Sequence, residues 1–306
     1  MSVEESNLQH ELKQGDRKAL ARAITIIENE LQGYEEILLN LHSEKYIPII
    51  GITGPPGAGK STLVNSLIGA LLLKVKPGSK GIGVISVDPS SPIHQGAILG
   101  DRLRMNEHFN NEQVFIRSLA TRGALGGLSA KTIEITEVMR SFGFEYILVE
   151  TVGVGQSEVE IAALADVTLL VITPESGDDI QIMKSGVMEI ADIFVVNKAD
   201  RDGAEEFAKN LNQILPIKHE KENLKSSIVK TVATQNKGTD TLVDEIIKHL
   251  EHKAPHQQST LWAEKAYQLI LKQKMNGISK KKLKEEIEKE IKKDNRFNIY
   301  RFIKNY

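Results

Sequence analysis

Residues 51–69 read GITGPPGAGKSTLVNSLIG. The stretch joins an apolar run, IPIIGIT, to a helical one, STLVNSLIGALL, through Gly54-Pro55-Pro56-Gly57-Ala58-Gly59-Lys60-Ser61. That junction matches G-x-x-x-x-G-K-[ST], a strand–loop–helix cradle for phosphate. The glycines let successive backbone N–H groups turn inward at phosphate oxygens. A helix starting near Lys60 adds its partial positive N-terminus, and Thr62 falls in its first turn. Lys60 supplies a mobile cation for the β- and γ-phosphates, and Ser61 a hydroxyl ligand for Mg²⁺. Composition alone would produce the pattern in roughly one chain in a hundred of this length. Its position between a strand and a helix makes it a nucleotide site rather than a Gly-rich turn.

Outward from this loop, short β-rich runs alternate with helical stretches: YIPIIGIT, GIGVISVD, VFIRSL, YILVET, VTLLVIT, DIFVVNK and SIVKTVA. Near-continuous apolar strands separated by helices predict an α/β fold. The expected architecture is a phosphate-loop NTPase with a doubly wound, mainly parallel sheet covered on both faces. Residues 6–42 read as two helices, the second capped by Asp16, with Leu20, Ala23, Ile24, Ile27 and Leu31 on one face. After about residue 252 the composition shifts. HKAPHQQST reads as a linker, followed by a helix through LWAEKAYQLILKQKM and a charged helix, SKKKLKEEIEKEIKKD, with Leu283, Ile287 and Ile291 at four-residue spacing. The expected division is a helical extension over 1–45, a nucleotide-binding domain over 46–252 and a helical segment over 253–306.

An acidic partner for the metal should end a neighbouring strand. In YILVETVGVG, Glu150 ends the apolar run and Gly153 follows three residues on, a D-x-x-G arrangement with Glu in place of Asp. Gly153 can bring its backbone N–H close to the γ-phosphate, where a side chain would hinder approach. Glu150, one methylene longer than Asp, is expected to reach the metal through water. Asp88 ends GIGVISVD just before Pro89 and is the candidate for orienting the attacking water. Asp101, in GAILGDRLRM, opens a helix and serves either as its cap or as a metal-linked carboxylate.

The base is read from DIFVVNKAD. Its apolar strand delivers Asn197-Lys198-Ala199-Asp200 to a C-terminal strand edge, where α/β folds bind ligands. Guanine presents N1–H and an exocyclic amine side by side, and the two oxygens of Asp200 can accept both. Adenine has an acceptor at N1, which would face the carboxylate. Such polar pairing discriminates strongly. Lys198 can lay its stem across the base, and Asn197 can tie this segment to the phosphate loop. Thr231-Val232-Ala233 stands where a backbone N–H could meet the guanine oxygen, with a looser fit. The cofactors implied are GTP or GDP and Mg²⁺.

The rest of the chain excludes several classes. A net charge of −2 over 306 residues argues against a general nucleic-acid binder. The absence of cysteine excludes disulfides, zinc–thiolate sites and thiol catalysis and fits a reducing interior. The acidic start, MSVEESNLQHELKQGDRKAL, has no basic n-region followed by an apolar core, and no run approaches membrane-spanning length. A soluble, cytoplasmic protein without a membrane partner is expected.

With these residues in place, the chain resembles the MeaB/ArgK-type GTPases, chaperones of the cobalamin-dependent methylmalonyl-CoA mutase. The likeness runs through GDRKALARAIT, GPPGAGKS, VDPSSP, GAILGDRLRM, ETVGVGQSE, GDDIQ and NKAD, in that order. DPSSP and ETVGVGQSE are not shared by most phosphate-loop proteins. The resemblance implies a SIMIBI-class GTPase that forms a homodimer through its C-terminal helices and gates cofactor delivery to a partner mutase. It maps switch segments onto VDPSSP with GAILGDRLRM, onto 153–158 and onto SGDDIQIMKSG. Gln156, Asp178, Gln181 and Lys184 become candidates for coupling to the mutase, against a plain reading as surface polar residues. The lysine-rich tail ending RFNIYRFIKNY departs from the family pattern.

Val154 stands where many small GTPases place a water-orienting glutamine. A slow intrinsic rate is expected, raised when a partner orders the switch loops, with Gln156 and Arg104 able to complete the site. Three rival readings fit the sequence less well. A small-molecule kinase or transport-linked ATPase conflicts with NKAD. A nickel metallochaperone usually needs a His- or Cys-rich tract, and the eight histidines are scattered, with His249, His252 and His256 the closest grouping. A signalling or translation GTPase would lack DPSSP and ETVGVGQSE.

Overall fold

The computed structural model describes residues 3–43, 45–88, 107–108, 110–120, 131–153, 157–175, 187–215, 226–252, 259–275, 278–293 and 298–303. All seven expected strands form: β1 (Ile49–Thr53), β2 (Ile82–Asp88), β3 (Val114–Ala120), β4 (Tyr146–Glu150), β5 (Val167–Ile172), β6 (Ile193–Asn197) and β7 (Ser227–Thr231). They make one sheet in the order β3-β2-β4-β1-β5-β6-β7, with every pairing parallel. Five of them, β1, β2, β5, β6 and most of β4, are buried at successive residues. Continuous rather than alternating apolarity is what a sheet covered on both faces requires. Because the strands are parallel, Thr53, Asp88, Glu150, Asn197 and Thr231 all finish at one edge.

The helix after the phosphate loop, α4 (Lys60–Leu72), packs against the sheet and against α9 (Thr239–His252). Leu63, Val64, Leu67, Ile68 and Leu71 of α4 join Ile50, Ile52, Leu169 and Ile246 in one core cluster, all fully buried. Each such side chain contributes on the order of 2 kcal/mol of burial. On the other face, β1 meets α6 (Ser157–Leu164) closely: a Cβ on Gly51 would lie 2.6 Å from Ile161 Cγ1. The helices α5 (Thr132–Phe142), α7 (Val187–Ile190) and α8 (Ala204–Ile214) complete the layers. A smaller cluster joins Met188, Phe194, Val196 and Leu211.

The N-terminal region forms three helices where the sequence predicted two: α1 (Val3–Gln14), α2 (Arg17–Glu28) and α3 (Tyr34–Leu39). Asp16 does cap α2, accepting from the backbone N–H groups of Lys18 at 2.6 Å and Ala19 at 3.1 Å. Leu20, Ala23, Ile24 and Ile27 are fully buried as expected. Leu31 is not, being 48% exposed, because α2 has already ended and the chain turns through Glu30 at φ 47° and Gly33 at φ 86°. Arg17 fastens α2 to the sheet by donating to the carbonyls of Val114 and Lys80.

The chain forms two compact units, Met1–His256 and Gln257–Tyr306. The second contains α10 (Ser259–Lys274), α11 (Lys280–Lys293) and α12 (Ile299–Phe302). Trp262, Tyr267, Leu269 and Ile270 of α10 and Ile291 of α11 are exposed. Among the described residues no helix is long and apolar enough to cross a membrane.

Candidate nucleotide site

Gly59 ends the phosphate loop at φ 88°, and α4 begins at Lys60. The left-handed turn at Gly59 reverses the chain into the helix, and a Cβ there would lie 2.5 Å from Asn197 Nδ2. Lys60 is buried, its Nζ donating to the carbonyls of Gly54 at 2.9 Å and Pro55 at 3.2 Å. The ammonium is thereby held over the loop that the sequence assigns to phosphate.

Ser61 and Glu150, both predicted as metal-linked, meet directly. Ser61 Oγ donates to Glu150 Oε1 at 2.7 Å, and Ser86 Oγ donates to Oε2 at 3.2 Å. Two hydroxyls thus hold a carboxylate that is only 4% exposed. Ser86 is Cα-paired with Glu150 across β2 and β4, and Asp88, also buried, lies two residues further along β2. Ser86 was missed by the sequence reading, although period-two alternation puts it on the face of β2 that carries Asp88.

These groups fit magnesium. A hydroxyl and two carboxylates are hard oxygen donors, and Mg²⁺ is commonly held by one or two carboxylates with nucleotide phosphates and water. Among the described residues no cluster of three or more His, Cys, Asp or Glu could hold a metal alone. His249 is buried with Nδ1 against the carbonyl of Glu245, and His252 Nδ1 lies against that of Lys248. Both imidazoles serve their own helix. Asp101, Arg104, Val154, Gln156, Asp178, Gln181 and Lys184 lie outside the described residues.

Gly153 sits against the phosphate loop at φ 83°; a Cβ there would lie 2.1 Å from Gly54 O and 2.5 Å from Lys60 Nζ. Only glycine can occupy that position without displacing the loop or the lysine. Gly54 is hemmed in from the other side, since a Cβ on it would lie 2.1 Å from Val171 O.

The NKAD segment clasps the same loop. Asn197 Nδ2 donates to Ala58 O at 2.8 Å, while Asn197 Oδ1 accepts from Thr231 Oγ1 at 3.1 Å and from Ala233 N at 3.2 Å. One buried side chain therefore joins the phosphate loop, β6 and the turn after β7. Lys198, at φ 56°, reaches Gly57 O at 2.8 Å. Asp200 follows, exposed to solvent. Its neighbour Arg201 forms an ion pair with Glu175, which holds the Glu175 carboxyl below its ordinary value through a hydrogen bond. After Thr231, Val232 bridges Lys237, and a short 3₁₀ turn (Ala233–Gln235) carries the chain round.

A cavity of about 700 Å³ lies at the opposite edge, lined by residues including Tyr46, Lys80, Arg140 and Tyr146. It sits by the N-terminal ends of β1, β2 and β4, away from the groups described above.

Comparison with known proteins places the chain among GTPases of one family. A Pyrococcus abyssi protein named at the level of GTPase is 47% identical over 246 residues, covering 78% of this chain and 74% of that one. The GTPase ArgK of Escherichia coli is 41% identical over 197 residues, 62% of this chain and 58% of ArgK. A fused isobutyryl-CoA mutase of Geobacillus kaustophilus is 34% identical over 257 residues, which are 79% of this chain but 23% of that protein. The crystal structure of an LAO/AO transport system kinase shares the fold, with a TM-score of 0.68 at 24% identity over 100% of this chain and 97% of the other. Residues 20–288 match the family described as Methylmalonyl Co-A mutase-associated GTPase MeaB, and the chain belongs to that family.

Proposed function

We propose that this protein is a Mg²⁺-dependent GTPase that serves a cobalamin-dependent acyl-CoA mutase as a chaperone, gating cofactor loading and protecting or reactivating the enzyme. Methylmalonyl-CoA mutase is the favoured client. The observation that carries the catalytic half is the convergence of Ser61, Glu150 and Lys60 on a loop that Asn197 clasps from the base side.

In this reading the loop amides of 54–61 and Lys60 hold the β- and γ-phosphates. Asp200 accepts the N1–H and amine of guanine, Lys198 covers the ring, and the turn at Thr231, Val232 and Ala233 faces the guanine oxygen. Ser61, Glu150 and Asp88, joined by Asp101, would hold Mg²⁺, which when bound neutralises charge on the phosphates. Asp88 orients the attacking water, and Gly153 gives its N–H to the γ-phosphate. Phosphoryl transfer to water needs positioning and charge stabilisation more than covalent chemistry, and these residues supply both.

The client half rests on family membership and on the Geobacillus protein, in which a region similar to this chain belongs to a polypeptide named as a mutase. Gln156, Asp178, Gln181 and Lys184 are the proposed coupling residues. A cytoplasmic homodimer is proposed as well; the exposed Trp262, Tyr267, Leu269 and Ile270 of α10 are apolar surface of the kind a second copy would cover.

The test is GTP and ATP turnover by the purified protein, alone and with a cobalamin-dependent acyl-CoA mutase from the same organism. Slow, GTP-selective hydrolysis that accelerates with the mutase is expected. Turnover indifferent to every such mutase would remove the client, and equal use of ATP would remove the role of Asp200.

A further inference from the structure

We propose that Thr53 and Thr151 form a latch that seats Gly153 on the phosphate loop and thereby sets the preference for GTP over GDP. The inference rests on the GTPase reading and gives a role to two residues to which the motifs assign none. Thr53 is the last residue of β1, just before Gly54; Thr151 follows the last residue of β4, two before Gly153. Strands β1 and β4 pair in parallel with Ile52 opposite Glu150, so the next step along each strand brings the two threonines side by side. Thr151 N donates to Ile52 O at 3.0 Å, extending the ladder one residue past β4. Thr151 Oγ1 donates to Thr53 Oγ1 at 3.0 Å. Both side chains are buried, 0% exposed for Thr53 and 1% for Thr151.

The consequence is geometric. Thr151 is locked to the strand that launches the phosphate loop, so the chain after it has two residues in which to reach Gly54. It arrives with Gly153 so close that even a methyl group would overlap Gly54 O and Lys60 Nζ. A backbone N–H assigned to the γ-phosphate is useful only if it is held at a fixed distance from the loop that grips the other phosphates. A hydroxyl pair buried away from water supplies that constraint, because breaking it leaves a polar atom without a partner. GDP has no γ-phosphate to meet Gly153 and should not sense the latch.

The experiment compares Thr151→Val with the double variant Thr53→Val/Thr151→Val. Each is measured for Tm without nucleotide and for the ratio of Kd values for GDP and a non-hydrolysable GTP analogue. Valine matches the shape of threonine, so the single variant strands the Thr53 hydroxyl and lowers Tm. The double variant removes both partners and recovers most of that loss. The latch predicts that the preference for the GTP analogue falls about fivefold in both, while GDP affinity stays within about twofold of wild type. Thr151→Ser, which keeps the hydroxyl, should keep the wild-type ratio. A merely structural pair predicts a ratio that recovers with Tm in the double variant, and that result overturns the latch while leaving the GTPase reading intact. If Thr151→Val does not fold, the double variant decides alone. Wild-type protein that binds adenine nucleotides as well as guanine nucleotides overturns the underlying reading and the latch with it.

Discussion

Ser61 Oγ lies 2.7 Å from Glu150 Oε1, joining the first turn of the phosphate-loop helix to the end of the neighbouring strand. The two residues are 89 positions apart and meet because β4 is placed directly beside β1 in the sheet. Metal affinity should therefore depend on both. Glu150→Gln keeps the size and removes the charge; it is expected to raise the Mg²⁺ concentration needed for tight GDP binding by about tenfold or more. A fluorescent-GDP titration with Mg²⁺ checks this, and an unchanged midpoint would remove Glu150 from the metal site.

Lys60 is held against the carbonyls of its own loop, at 2.9 Å from Gly54 O. A cation placed in advance of the reaction costs no reorganisation when charge develops. Lys60→Ala should lower single-turnover GTP hydrolysis by roughly 10²–10³. Circular dichroism and Tm should stay near wild type, since the side chain spans the loop rather than the core.

Core packing gives an independent test of the fold. Leu67 on α4 is fully buried, whereas Leu73, one residue past the helix, is 82% exposed. Leu67→Ala should cost about 2–5 kcal/mol in urea unfolding of the first unit. Leu73→Ala should stay within about 0.5 kcal/mol. Similar effects at the two sites would contradict the placement of α4.

Ser227, at the start of β7, donates to Glu245 on α9 at 2.7 Å, and this hydrogen bond holds the Glu245 carboxyl below its ordinary value. A carboxyl depressed in the folded state contributes stability above its unfolded value of about 4.5, and that stability is lost as pH falls through the lower folded value. Ser227→Ala should therefore lower stability most above pH 4.5, neutral pH included, and the difference from wild type should shrink as pH falls below that value. Denaturant midpoints measured across that range test the sign.

The sheet was legible because five of its seven strands are near-continuous apolar runs, a pattern that burial on both faces imposes. The phosphate loop, Glu150 with Gly153, and NKAD were legible because each has residue types that only a few chemistries need at that spacing. The α2–α3 break was not: Leu31 continues the apolar stripe, and only the left-handed turns at Glu30 and Gly33 take it out of the core. Ser86, Thr53 and Thr151 escaped for a different reason. A serine or threonine in a strand looks ordinary until strand order is known, and their partners lie on a neighbouring strand rather than nearby in sequence.

The central claim is that Asp200 selects guanine, and exchanging one atom type tests it. Asp200→Asn replaces one carboxylate oxygen by an amide donor, which no longer pairs with the guanine amine but does match xanthine, where a carbonyl stands in its place. Equilibrium binding of GDP, ADP and xanthosine diphosphate should show wild-type protein preferring GDP. In the variant, GDP affinity should fall about tenfold or more and xanthosine diphosphate should become the preferred ligand. An Asp200→Asn protein that keeps its GDP affinity and gains none for xanthosine diphosphate would contradict the account.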